Sequence, residues 1–405
     1  MSVITDSPIR SSARRFTGIA GRAGLADSAC AIPAQNWREV AESGYIRLFH
    51  PQESGGTGAG ADLMVGRMEE LAQACPSTYW SATVSGLLCA RLVSAYGNTS
   101  GAGAPHEELL SSLVSGQRLG AFAVAETTAG SDASTQRTTV RRAPTGGGYV
   151  ISGEKSRIAN APAADVAVVL ARLGDRADER WCLVFVDLTQ PGVHRYELPH
   201  LGLRGMPWGG LVFTDTPVRA QDVLEVPLGE LSNGMTWGWL LTSVSAIGIA
   251  EAALAASVRH AARRVSFGLP LAHMEGVQAQ LAQSRAEIDA AKLLARRAAA
   301  ERLAGSPARG LIAMLKVYAT ELGVRVAQRA VQIHGAFGVT TGHEVERLYR
   351  DAQMNVIGAF SSNRLREVIA EEIGLGAAVH EPFDWVRPAG LASDPAGLDG
   401  PAGSI

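Results

Sequence analysis

The sequence predicts an α+β protein: an N-terminal α-helical domain, a middle antiparallel β-domain and a C-terminal domain resembling a four-helix bundle. Three observations carry this. Apolar residues recur at helical spacing up to Val114, strand-like patterning takes over between Leu119 and Val226, and long amphipathic runs return from Met235 to Leu375. Helices, then strands, then helices argue for segregated layers and against alternating βαβ units. A chain of 405 residues accommodates two or three domains. The expected divisions are 1–117, 118–228 and 229–380, with a mobile tail at 381–405 rich in Pro, Gly, Asp and Ala.

In the first zone, Leu63–Ala72 and Ala82–Ala95 read as helices, and the Gly-rich Pro51–Asp62 reads as a loop whose Asp62 caps the helix after it. In the second, Tyr149–Gly153, Ala164–Arg172 and Trp181–Asp187 are β-rich, with a turn at Pro144–Gly148. The third is Ala-, Leu- and Arg-rich with short breaks, as a bundle requires.

Composition excludes several classes. Net charge is −2, so no global basic field points to nucleic acid. Cys30, Cys75, Cys89 and Cys182 are scattered, which favours idle thiols in a reducing compartment over disulfides or a metal site. The first residues carry basic side chains without an apolar stretch behind them, and no run reads as a membrane span. The expectation is a cytoplasmic protein with no metal.

Four ordered motifs carry the chemistry. Phe122-Ala123-Val124-Ala125-Glu126-Thr127-Thr128-Ala129-Gly130-Ser131-Asp132 roughly follows a-x-T-E-P-x-x-G-S-D, with Ala125 for the Thr and Thr127 for the Pro. Gly153-Glu154-Lys155-Ser156-Arg157-Ile158-Ala159-Asn160 fits G-x-K-x-W-I-T-N, with Arg157 for the Trp and Ala159 for the Thr. Arg264 to Gly268 fits R-x-x-F-G, and Gln332-Ile333-His334-Gly335-Ala336-Phe337-Gly338 is similar to Q-x-x-G-G-x-G, with Ala336 for one Gly. Arg350-Asp351-Ala352 follows. Together, over about residues 35 to 375, these resemble the acyl-CoA dehydrogenase family.

That resemblance implies FAD as cofactor. It places Phe122, Val124, Ala125, Gly130, Ser131, Arg157, Ile158, Ala159 and Ser361 around the flavin. Arg264 then reaches the FAD pyrophosphate of a neighbouring subunit, Phe267 packs near the adenosine half, and Gln332, Gly335 and Ala336 belong to a stretch where backbone approaches the cofactor. Arg suits that role because its planar fork pairs with phosphate oxygens, and small residues allow close backbone approach. His334 reads as a packed histidine. A shared site implies a homodimer or homotetramer.

One departure governs function. The family's catalytic Glu, in Ile-Tyr-Glu-Gly-Thr, corresponds to Ala359 in Ile357-Gly358-Ala359-Phe360-Ser361. The alternative Glu position of some members corresponds to Gly238, with Trp239 replacing the Arg that follows. The usual base that removes the α-proton of an acyl thioester is therefore missing. Ala359 still offers a backbone donor to the thioester carbonyl, and Trp239 and Ala359 are the expected substrate contacts. The readings left open are FAD-dependent desaturation of a specialised thioester on CoA or an acyl carrier protein, a flavin monooxygenase, a non-redox thioester enzyme, and a catalytically silent homologue. An electron-accepting flavoprotein or oxygen would be the redox partner.

Overall fold

Helix formers free of interior proline build the first segment. The computed structural model describes residues 15–97, 104–130, 135–144, 147–174, 180–226 and 228–375. The segment folds as α1 (Thr17–Gly21), α2 (Ala23–Ala29), α3 (Ala34–Glu42) and α4 (Ala61–Ala74), followed by a long helix from Pro76 to Tyr96 and by α7 (Ala104–Val114). The long helix comprises α5 (Pro76–Thr83), a π-helical stretch (Val84–Ala90) and α6 (Arg91–Tyr96). Pro76 stands where its missing N–H costs no hydrogen bond. Asp62 is not a cap: α4 begins at Ala61 with Gly60 as N-cap, which puts Asp62 inside the first turn. There its charge meets the helix dipole without capping an N–H.

The middle segment forms β1 (Gly120–Ala123), β2 (Thr139–Arg142), β3 (Tyr149–Ala159), β4 (Val166–Leu173), β5 (Arg180–Asp187), β6 (Val193–Glu197), β7 (Trp208–Val218) and β8 (Val223–Glu225). The sheet runs β6-β7-β3-β2-β4-β5-β8, with β1 beside β4. Most pairs are antiparallel as expected, but β1 and β2 both pair parallel with β4. The sheet is thus mixed, because the chain crosses over before reaching β4. Alternation along β4 serves two cores. Val166, Val168 and Leu170 face the helices, while Ala167, Val169 and Ala171 face the interior of the β-domain.

The last segment is α8 (Leu228–Arg263), a hairpin of β9 (Val265–Ser266) and β10 (Leu269–Pro270), α9 (Glu275–Leu303), α10 (Arg309–His334), α11 (Glu344–Ile357) and α12 (Ser362–Glu372). Asn233–Arg263 has the length and mean hydropathy (1.6) of a membrane span by composition alone, and 94% of its most apolar window is buried within the protein. The bundle core accounts for that apolarity. Gly248 lets α8 lie against α4, since a Cβ there would stand 2.4 Å from the Ala72 Cβ. The expected tail at 381–405 lies outside the described residues.

Candidate functional site

A cleft of about 440 Å³ opens where the sheet meets the bundle. The sheet supplies Phe122, Val124, Ala125 and Gly130, then Arg157, Ile158 and Ala159 at the end of β3. The bundle supplies Met235 and Gly238 of α8 and the run from Ile357 to Ser361 between α11 and α12. Trp80, Val84 and Leu88 close it from the long N-terminal helix, partly through its π-helical stretch, a distortion that recurs at functional sites. Segments more than two hundred positions apart thus converge, and ten of the sequence-predicted residues share this space: Phe122, Val124, Ala125, Gly130, Arg157, Ile158, Ala159, Gly238, Ala359 and Ser361. Ser131 lies outside the described residues.

Buried charge holds the sheet side. Lys155 is fully buried, and its Nζ donates to Glu126 Oε1 (2.9 Å), Val124 O (2.9 Å) and Gln136 Oε1 (3.1 Å). Glu126 also accepts from Arg137 N (2.6 Å), Thr138 N (3.0 Å) and Thr138 Oγ1 (2.6 Å). Burial works against this carboxylate, yet Lys155 and those donors hold its pKa below the usual glutamate value. The Val124–Glu126 backbone is thereby pinned beside the cleft.

Backbone strain marks the other walls. Arg157 (φ 61°), Leu203 (φ 57°), Ala359 (φ 51°) and Phe360 (φ 85°) all line the cleft in the left-handed region. Such conformations in non-glycine residues persist only where the surroundings enforce them. Lys316 of α10 enforces two of them, donating from Nζ to Val356 O (3.0 Å) and Phe360 O (2.5 Å) across the loop. Asp351 accepts from Leu203 N (2.5 Å). Burial pushes its carboxyl up to about 6. Arg350 ties the same helix to Asp27 at 2.8 Å. Ser361 caps α12.

The two positions expected from the sequence to match the family carboxylates, Gly238 and Ala359, face each other. A Cβ built on Gly238 stands 3.7 Å from the Ala359 Cβ. Among the described residues no Asp or Glu lines the cleft, and Arg157, exposed at its mouth, is the one ionisable side chain in its walls. Glu251, further along α8, is held by Arg285 (3.0 Å) and Lys292 and does not reach the space.

Trp239 does not line the cleft. It is fully buried behind the wall, edge-on to Phe360 at 6.1 Å. Gly238 faces the cleft, and the next helical residue turns about 100° away. Arg264, Phe267, Gln332, Gly335 and Ala336 do not join the cleft within one chain. They lie exposed at the far end of the bundle, where the His260 and His334 rings sit 4.1 Å apart, tilted by 33°. His334 donates from Nδ1 to Ala330 O (2.7 Å) and is packed, as read. Phe267 and Gly268 (φ 51° and 81°) form the two-residue turn of the β9–β10 hairpin, which leaves the phenyl ring 98% exposed.

Sequence reasoning missed Trp80, Leu203, Met206, Trp208 and Met354 in the walls. Trp80 is fixed by bonds from Nε1 to Ser245 Oγ and Asn355 Oδ1, both 3.0 Å. The cue for Leu203 and Met206 was Gly202 and Gly205 in Gly202-Leu203-Arg204-Gly205-Met206; a Cβ at Gly202 would meet Arg350 O at 2.1 Å.

Comparison with known proteins bears on this geometry. Profiles described as acyl-CoA dehydrogenase N-terminal, middle and C-terminal domains match residues 6–116, 121–216 and 231–374. Benzylmalonyl-CoA dehydrogenase of Aromatoleum aromaticum is 30% identical over 88% of this chain and 93% of its own. A probable acyl-CoA dehydrogenase of Bacillus subtilis, YngJ, is 32% identical over 88% and 93%. Among solved structures, butyryl-CoA dehydrogenase from Megasphaera elsdenii superposes with a TM-score of 0.83 at 26% identity, over 92% of this chain and 100% of that one. FkbI, described as serving biosynthesis of a methoxymalonyl extender unit, gives 0.79 at 26% over 90% and 99%. With all three domains matched in order and nearly the whole length shared, the chain belongs to the acyl-CoA dehydrogenase family.

Proposed function

We propose that the protein is an FAD-dependent oxidoreductase that desaturates a specialised acyl thioester, carried by CoA or by an acyl carrier protein, without the family's glutamate base. The observation that carries this is the facing pair Gly238 and Ala359 in a cleft that no carboxylate lines among the described residues. The cleft fits a flavin: its walls are largely apolar, and Val124, Ala125, Ile158 and Ala159 bring strand-end backbone to one side. A flavin bound there would supply a two-electron hydride acceptor. Phe122, Val124, Ala125, Gly130, Ser131, Arg157, Ile158, Ala159 and Ser361 would surround it. Arg264, Phe267, Gln332, Gly335 and Ala336 of a second copy would hold the distal half, which makes the working unit a homodimer or larger.

The Ala359 N–H is a donor that every residue but proline would keep, and it is the group to orient the thioester carbonyl. The gap between Ala359 and Gly238 leaves room for water or a polar group of the substrate itself to receive the departing proton. Arg157 replaces a ring with a cation at the mouth, where it favours anionic charge nearby. The missing base also supports a second reading, oxygen-dependent hydroxylation on the same scaffold.

Anaerobic titration of the FAD-loaded protein with acyl thioesters tests the first reading. Loss of flavin absorbance with formation of an enoyl product is expected. Failure to retain FAD would overturn it, and oxygen uptake with a hydroxylated product would transfer the case to the second reading.

A further inference from the structure

A second cavity of about 210 Å³ continues from the cleft along the same two helices. Leu88, Phe122 and Met235 belong to the walls of both. On α8, Gly238 faces the cleft and Gly234, one turn or about 6 Å along the axis, faces the second cavity. On the long N-terminal helix the shared Leu88 is followed one turn later by Arg91.

Among the described residues, the only charged ones in these walls are Arg91 and Arg302. Their guanidinium carbons stand 4.4 Å and 4.9 Å from the centre of the Trp237 ring. Arg91 donates to Phe49 O (2.9 Å); Arg302 donates to Thr236 Oγ1 and Asn233 O (both 2.9 Å). Among the described residues neither has a carboxylate partner. Burial, and for Arg91 the like charge of Arg302, lowers the pKa of both, that of Arg91 to about 10. Two half-buried cations on one indole repel each other and lack a counter-ion, an arrangement that costs stability unless an anion completes it. A planar guanidinium pair in an otherwise apolar slot is matched to a carboxylate.

We propose that this cavity receives a carboxylate at the far end of the substrate's acyl chain, so that the preferred substrates are thioesters of dicarboxylic acids. The proposal rests on the reading of the cleft as an acyl-thioester site. Phe122, Leu88 and Met235 would flank the methylene chain, and Arg91 and Arg302 would fix its end.

The test is calorimetric binding of S-glutaryl and S-valeryl phosphopantetheine, a thioester arm common to both carriers, to the FAD-loaded protein. Wild type should bind the glutaryl thioester about ten- to a hundred-fold more tightly than the valeryl. Arg91→Met and Arg302→Met should each bring that ratio toward one, and Arg91→Lys should keep much of it. Because both ligands are measured on one protein, a general loss of stability cancels from the ratio. Equal binding by wild type, or a preference that survives both Met variants, would overturn the carboxylate assignment and leave the cleft reading standing. Binding of neither thioester would overturn both.

Discussion

At the scale of single residues, the proposed chemistry turns on two small residues. Gly238 and Ala359 meet across the cleft, so a carboxylate built on either would project into the same space. Ala359→Glu is therefore expected to speed flavin reduction by a plain saturated acyl thioester about a hundred-fold or more, the usual worth of a positioned base. Anaerobic stopped-flow absorbance measures this, and an unchanged rate would show that Ala359 does not face the α-carbon. Gly238 gives a second, structural check. It lies inside α8 with only ordinary van der Waals contact awaiting a Cβ. Gly238→Ala should stabilise the fold by about 0.5–1 kcal/mol, read by denaturant unfolding.

At the scale of elements, Lys316 joins α10 to the loop between α11 and α12. It is wholly buried, and desolvation lowers its pKa from 10.5 to about 7. Between those values the unfolded chain binds a proton that the folded chain does not, so stability should rise with pH across that window. Comparing wild type with Lys316→Met from pH 6 to 10 isolates this effect. The difference should grow in favour of wild type as pH rises, and a flat difference would refute it. At high pH the variant should be less stable by about 1–3 kcal/mol, because the Val356 and Phe360 carbonyls lose their donor. These supports were the part of the site least visible in sequence. Phe122–Gly130 and Arg157–Ala159 are contiguous and carry their own patterns. Leu203, by contrast, is held by Asp351, 148 positions later, and nothing local announces that bond. Trp239 was misplaced for a related reason: a motif names neighbours in sequence, whereas a helix sends adjacent residues to different faces. The three-layer order was legible because hydrophobic period changes with secondary structure, while the parallel pairing of β4 depends on long-range crossover that period does not encode.

At the scale of the whole molecule, the proposed function requires a cofactor site shared between two copies. The cleft residues and the Arg264–Phe267 end of the bundle are apart, and Phe267 holds a left-handed backbone conformation while its ring stays in solvent. Phe267→Asn should leave the stability of the isolated chain unchanged or raise it by about 1 kcal/mol, since Asn tolerates that conformation. The same change should lower FAD content and weaken self-association, read by absorbance and sedimentation. Full FAD retention by this variant would show that the hairpin does not serve a second copy's cofactor. The most direct test of the central claim is an experimental structure of the FAD- and thioester-loaded assembly. The account predicts the flavin ring between Phe122–Gly130 and Gly358–Ser361, with no acidic side chain reaching the acyl α-carbon. A carboxylate from any part of the assembly within reach of that carbon, or a flavin bound elsewhere, would contradict it.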